Sequence, residues 1–212
     1  MLPVIETFTS IQGESTHAGR RCFFIRLAGC NLRCNYCDTT YAWQGGEMRS
    51  IENLTADAAA SGTGLVEVTG GEPLIHAETI PLLQSLLDAG LEVLMETNGS
   101  LSIEAVPAAV RKILDCKLPD SGMAEENFTA NYAMLEKHDE VKFVVSSRRD
   151  FDWAIDIIDR HQLPEKTANL IFSPVWGRVK FDDLAQWIID SNRPVRMQLQ
   201  LHKMIWGEKQ GV

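Results

Sequence analysis

The chain has 212 residues, of which 45% are hydrophobic and 23% charged, and its mean hydropathy is -0.10, so a sizeable apolar core is within reach and intrinsic disorder is excluded. No apolar run reaches the roughly 18 residues of a membrane-spanning helix, and Met1 to Glu6 lacks the charged and apolar regions of a secretory leader, so a cytoplasmic protein without a membrane partner is expected. A formal net charge of -9 argues against direct nucleic-acid binding, since that grip rests on Lys and Arg neutralising phosphates.

Seven β-branched or apolar runs are expected as strands: Cys22 to Leu27, Leu65 to Thr69, Leu91 to Glu96, Lys112 to Lys117, Glu140 to Val145, Asn169 to Ser173 and Val195 to Leu201. Helical periodicity falls between several of them. Thr79 to Ala89 stripes Ile80, Leu83 and Leu87; Phe151 to Arg160 stripes Phe151, Ala154, Ile155 and Ile158; Phe181 to Asp190 stripes Leu184, Trp187 and Ile188. Strand-helix alternation implies parallel strands, hence an α/β fold. A complete eight-unit barrel takes about 250 residues, so a partial TIM-like barrel is expected here. No linker or repeat interrupts the chain, and a single domain over 1–212 follows.

Three of the five cysteines, Cys30, Cys34 and Cys37, fall within eight residues after the first expected strand. Disulfides do not persist in the cytosol, so grouped thiols point to metal ligation or redox chemistry. Structural zinc takes four protein ligands, and no fourth stands nearby in sequence. Three thiolates on one loop instead suit a [4Fe-4S] cluster with one iron left open. Thr69-Gly70-Gly71-Glu72-Pro73 closes the second strand, and the two glycines would let backbone approach a ligand closely. Glu96-Thr97-Asn98-Gly99 closes the third.

The run Cys30-Asn31-Leu32-Arg33-Cys34-Asn35-Tyr36-Cys37 resembles the CxxxCxxC signature of the radical S-adenosylmethionine enzymes, with an aromatic residue before the third cysteine. Ser10 to Glu14, Phe24 to Leu27, Cys37-Asp38-Thr39, Asp139 to Val145 and Gln198 to Gly207 narrow this further. Together they resemble the 7-carboxy-7-deazaguanine synthase family over essentially the whole chain. The resemblance implies a carbon-nitrogen lyase that converts 6-carboxy-5,6,7,8-tetrahydropterin to 7-carboxy-7-deazaguanine with loss of ammonia, in queuosine or other deazapurine biosynthesis. It implies three cofactors: the cluster on Cys30, Cys34 and Cys37, S-adenosylmethionine, and Mg2+ on Thr39. Ile11, Gln12, Gly13, Arg26 and Thr69 correspond to substrate-binding positions, and Gly71, Glu96, Asp115 and Lys117 to the cofactor shell. A homodimer and a flavodoxin- or ferredoxin-type electron donor are the partners implied.

Two departures stand out. Ser15 occupies the last glycine of the family's QGEG form, and Asp115-Cys116-Lys117 replaces a common Ser-Pro-Lys. Residues outside the motifs are expected to be structural: Cys22 and Cys116 as small buried side chains, His138 and His161 at helix ends on the surface, and Asp150 to Asp159 as a solvated helix face. His202 is a candidate for lining the pocket. The competing readings are a glycyl-radical activase, which would act on a protein, and a non-catalytic iron-sulfur or zinc module.

Overall fold

Side chains buried with a two-residue period build the first element. In the computed structural model, which describes residues 1–207 and 209–212, Leu2–Ile11 forms strand β1, with Leu2 and Val4 buried. The 12–20 loop returns the chain into β2 (Arg21–Leu27), antiparallel to β1, with Phe8 opposite Phe24. A short edge strand, β3 (Glu47–Arg49), pairs antiparallel with the other side of β1.

From β2 onward the sheet is parallel: β4 (Leu65–Gly70), β5 (Glu92–Thr97), β6 (Arg111–Cys116), β7 (Glu140–Val145), β8 (Asn169–Pro174) and β9 (Arg196–Met197) follow in order. Among the described residues the strand order is β3-β1-β2-β4-β5-β6-β7-β8-β9, a sheet that does not close on itself. It is a partial barrel of α/β type.

Helices α1 (Ile51–Ala60), α2 (Thr79–Asp88), α3 (Arg148–Arg160), α4 (Leu163–Lys166) and α5 (Phe181–Ser191) lie between strands, whereas β5 to β6 and β6 to β7 are joined without an α-helix, and α6 (Leu201–Trp206) follows β9. Ser50 and Ser147 cap α1 and α3 by accepting the backbone N–H of Asn53 and Asp150. One face of the sheet packs on these helices: Val68, Met95, Val141 and Phe143 share a core with Leu82, Leu86, Phe151 and Ile158. The opposite face carries only a small apolar plug of Cys22, Phe24, Leu65, Leu94 and Ile113. Beyond that plug it presents polar groups at the carboxyl ends of the strands, the ligand edge of parallel α/β folds.

The seven expected strands are the seven parallel ones, with one correction at the end. Val195 to Leu201 narrows to Arg196–Met197, and Leu201 opens α6. The reason is that Gln198 and Gln200 turn their side chains to the 12–15 loop, donating to Ser15 O (2.6 Å) and Glu14 Oε1 (2.7 Å). β1 and β3 add an antiparallel edge that the expected set lacked.

Asp150 is also corrected. It is fully buried and accepts the backbone N–H of Asp120 and of Ser146, each at 3.0 Å, while Asp152, Asp156 and Asp159 keep the solvated face. His161 does end α3, but His138 sits in a turn before β7 rather than at a helix end. Cys22 and Cys116 are buried strand residues, as expected. Among the described residues no helix is long and apolar enough to cross a membrane.

Candidate active site

The cysteine loop is held by the ends of several strands. Asn98 Nδ2, just past β5, donates to Asn31 Oδ1 (3.0 Å) and reaches Cys30 Sγ (3.8 Å). Asn35 N donates to Ser121 O beyond β6 (3.0 Å), and Tyr36 Oη donates to Val144 O on β7 (3.0 Å). Against β4 the fit is closest: Glu72 N donates to Gly29 O (2.8 Å), and a Cβ on Gly71 would lie 2.0 Å from that same oxygen. Gly71 is therefore required by the approach of the cysteine loop itself, whether or not a ligand also comes near.

Glu72 is wholly occupied by scaffold. Its carboxylate accepts from Leu74 N, Thr97 Oγ1 (both 2.9 Å) and Asn98 N (2.6 Å), clamping the end of β4 to the end of β5. Burial outweighs those bonds and raises its pKa to about 6.

Cys30, Cys34 and Cys37 are half-buried free thiols that line one cavity. Burial pushes Cys34 and Cys37 upward, and thiols must lose their protons to take metal. Among the described residues no three His, Cys, Asp or Glu side chains close around one ion-sized point, these thiols included. Three soft donors on one loop, lining one cavity, fit a cluster in which each thiolate takes its own iron.

Next to them, Lys117 Nζ pairs with Asp115 Oδ2 at 2.7 Å, while Asp115 Oδ1 is buried with no partner among the described residues. Burial opposes the charge on Lys117, but Asp115 prevails and its pKa is raised. The orphan oxygen is an acceptor waiting for a ligand hydroxyl or amine, which fits a nucleoside or amino-acid cofactor. Cys116 turns away and contacts Tyr132 Oη at 3.1 Å. Glu96 accepts from Thr69 Oγ1 (3.1 Å) and pairs with Lys142.

The remaining candidates lie across the same cavity. Ile11, Gln12 and Gly13 line it from the end of β1, Arg26 and Thr69 from β2 and β4, and Thr39 from the end of the cysteine loop. Arg26 Nε donates to Glu6 Oε1 at 2.8 Å, and its guanidinium lies 5.9 Å from the ring centres of both Phe8 and Tyr41. Thr39 Oγ1 donates to Asp38 Oδ1 at 3.0 Å. Thus all thirteen motif-derived positions share one cavity.

Several cavity residues escaped the motif reading. Glu67 meets Gln12 Nε2; Lys142 bridges Glu14 (2.9 Å) and Glu96; Gln200 and Lys203 come from the C-terminal segment, whose His202 lines the cavity as expected. A signal existed for two of them, since Glu67 and Lys142 are charges set inside apolar strand runs. His202 packs so closely on Gly13 that a Cβ there would lie 2.2 Å from Nδ1. Ser15, at the departure from QGEG, adopts φ 63°, the left-handed conformation that a glycine takes without cost.

An open parallel sheet with three cysteines at its ligand edge defines a class. Residues 24–188 match the Radical SAM superfamily, and the chain belongs to it. Over 209 residues, 97% of this chain and 94% of that protein, it is 44% identical to a 7-carboxy-7-deazaguanine synthase of Chlorobaculum tepidum. A second, from Clostridium acetobutylicum, is 42% identical over 220 residues, covering 99% and 98% of the two chains. The chain is a member of the 7-carboxy-7-deazaguanine synthase family. The crystal structure of QueE from Escherichia coli has the same fold, with a TM-score of 0.78 at 24% identity over 95% of this chain and 94% of that one.

Proposed function

We propose that this protein is a radical S-adenosylmethionine carbon-nitrogen lyase that contracts 6-carboxy-5,6,7,8-tetrahydropterin to 7-carboxy-7-deazaguanine with release of ammonia. The observation that carries this is one cavity in which the cysteine loop faces Gln12, Arg26 and Thr69. Bound to the three thiolates, the cluster with S-adenosylmethionine supplies the one-electron chemistry that starts the reaction. The chain's own groups do the rest.

Asp115 and Lys117, paired at 2.7 Å, would hold hydroxyl and carboxylate groups of the cofactor, and Glu96, held by Thr69 and Lys142, would face it from β5. Phe8 and Phe24, stacked at 4.9 Å, form a flat wall suited to a planar heterocycle. The Arg26 fork lies over the Phe8 ring, and its outer nitrogens, which take no hydrogen bond among the described residues, are placed to take a substrate carboxylate. Gln12, its amide oriented by Glu14 N and by Glu67, turns one face to the ring edge. Thr39 would supply one neutral oxygen to Mg2+, which when bound would offset the charge of the substrate carboxylate. Closure by the C-terminal segment keeps solvent hydrogens away from the reacting carbon.

The domain is single, the location cytoplasmic, the assembly a homodimer, and the electron donor a flavodoxin or ferredoxin. Anaerobic incubation of the cluster-loaded protein with the carboxytetrahydropterin, S-adenosylmethionine and Mg2+ tests the reading. Deazapurine and ammonia should accumulate over many turnovers per cofactor. Cofactor loss without deazapurine would overturn it.

A further inference from the structure

Glu67 is a carboxylate in the middle of a parallel strand, 3% exposed, with Phe24 and Leu94 as its lateral neighbours on β2 and β5. Such a group is costly to bury without partners. One of its oxygens, Oε2, takes the Gln12 amide. The other takes no bond among the described residues, yet it is not sealed off: Glu67 lines the cavity, and Oε1 opens on it.

Gln12 is itself locked, because its Oε1 accepts the backbone N–H of Glu14 at 2.9 Å while its Nε2 is committed to Glu67. The pair thus presents a fixed edge at the inner end of the cavity: an open carboxylate oxygen beside an oriented amide. Arg26, two residues along β2 from Phe24, lies over the Phe8 ring nearer the carboxyl ends of the strands, where it can take negative charge. A flat ligand between them would carry its acid group toward Arg26 and adjacent N–H donors toward Glu67.

We propose that Glu67 is a specificity-determining residue that accepts the ring N–H and exocyclic amino group along the 2-amino-4-oxo edge of the substrate, with Gln12 as its positioning partner. The proposal rests on the pterin reading of this site and adds the group that distinguishes a 2-amino ring from a 2-oxo one. Burial, with the Glu96 and Glu14 carboxylates in the same cavity, pushes Glu67 well above the usual carboxylate range, against the pull of Lys142 and Arg26. A ligand that brings two N–H donors relieves that, whereas a ligand with a carbonyl at the same place sets two acceptors against each other.

The test uses equilibrium binding of two fluorescent ring analogues that do not turn over, 6-carboxypterin and 6-carboxylumazine, to the cluster-loaded protein with S-adenosylmethionine. They differ in having an amino or an oxo group at the ring's second position. Wild type should prefer the pterin by roughly ten- to a hundredfold. Glu67→Gln keeps the side-chain size but swaps an acceptor for a donor, so the preference should collapse toward unity or invert. Equal binding of both analogues by wild type overturns the proposal without needing the variant. Retention of the wild-type ratio by Glu67→Gln, or an equal loss for both analogues, also overturns it and leaves the pterin reading standing. Failure of wild type to bind either ring overturns both.

Discussion

Lys203 Nζ lies 2.6 Å from Asp38 Oδ2, joining the C-terminal helix α6 to the residue that follows the third cysteine. Burial would raise the Asp38 carboxyl, but Lys203 and the Thr39 hydroxyl hold it at about 2, so the bond is intact throughout the neutral range. With Leu201 N donating to Gly13 O at 2.9 Å, the same segment closes over both the substrate loop and the cysteine loop. Lys203→Met should therefore raise KM for substrate several-fold and speed amide exchange across α6. Thermal stability should change by at most about 1 kcal/mol, because Asp38 is half-exposed. Unchanged exchange in α6 would show that the ion pair does not hold the segment.

The cysteines divide by position. Cys34→Ala should abolish cluster binding, read as loss of iron, sulfide and cofactor cleavage. Cys22→Ala sits in the inner apolar plug and should keep the cluster while losing about 1 kcal/mol of stability. Full iron content in Cys34→Ala would sink the ligand assignment.

Gly71→Ala places a methyl 2.0 Å from Gly29 O, and that backbone cannot yield as a flexible side chain could. The cysteine loop must move, so iron content and thermal stability should fall together, the latter by roughly 1–3 kcal/mol as for an overpacked core. A variant with normal iron content and melting temperature but weakened S-adenosylmethionine binding would contradict the close-approach explanation.

Thr39→Ala should lose most of the rise in turnover with Mg2+, and Thr39→Ser, which keeps the hydroxyl, should retain more of it. Arg26→Lys should lower kcat/KM on the order of tenfold or more, since a point ammonium cannot make a two-pronged bond to a carboxylate. Cluster content is the control in both cases. Indifference of turnover to Mg2+ in wild type would remove the metal role from Thr39.

Glu92, at the start of β5, is held at about 2, first by its bond from Arg20 and then by His17, against the cost of burial. A carboxylate depressed on folding stabilises the fold above its unfolded value, and that contribution disappears as pH falls through the folded one. The stability gap between wild type and Glu92→Gln should thus be widest at pH 5 and above, and shrink between about 4.5 and about 2. Because the pair is largely exposed the gap is modest. Melting curves at pH 5, 4 and 3 check this; a constant gap would mean that the ion pair contributes nothing.

By itself the sequence determined the parallel strands, the helical crossovers and the cysteine loop, because each rests on local signals: β-branched runs, a 3.6-residue stripe, thiols at fixed spacing. It also carried the motif positions that end β2, β4, β5 and β6. The tertiary structure decided what local patterns do not encode. β1 reads as a mixed run with Pro3, Glu6 and Thr9, and becomes a strand only through its antiparallel partners β2 and β3. Glu67 and Lys142 are charges set among apolar strand residues, and their burial is tolerated because folding sets Gln12, Glu14 and Glu96 against them from distant parts of the chain. Gly71 shows the same division within one residue. The glycine was legible in its motif, but what demands it is the backbone of Gly29, brought to 2.0 Å of an added Cβ by the packing of two strand ends.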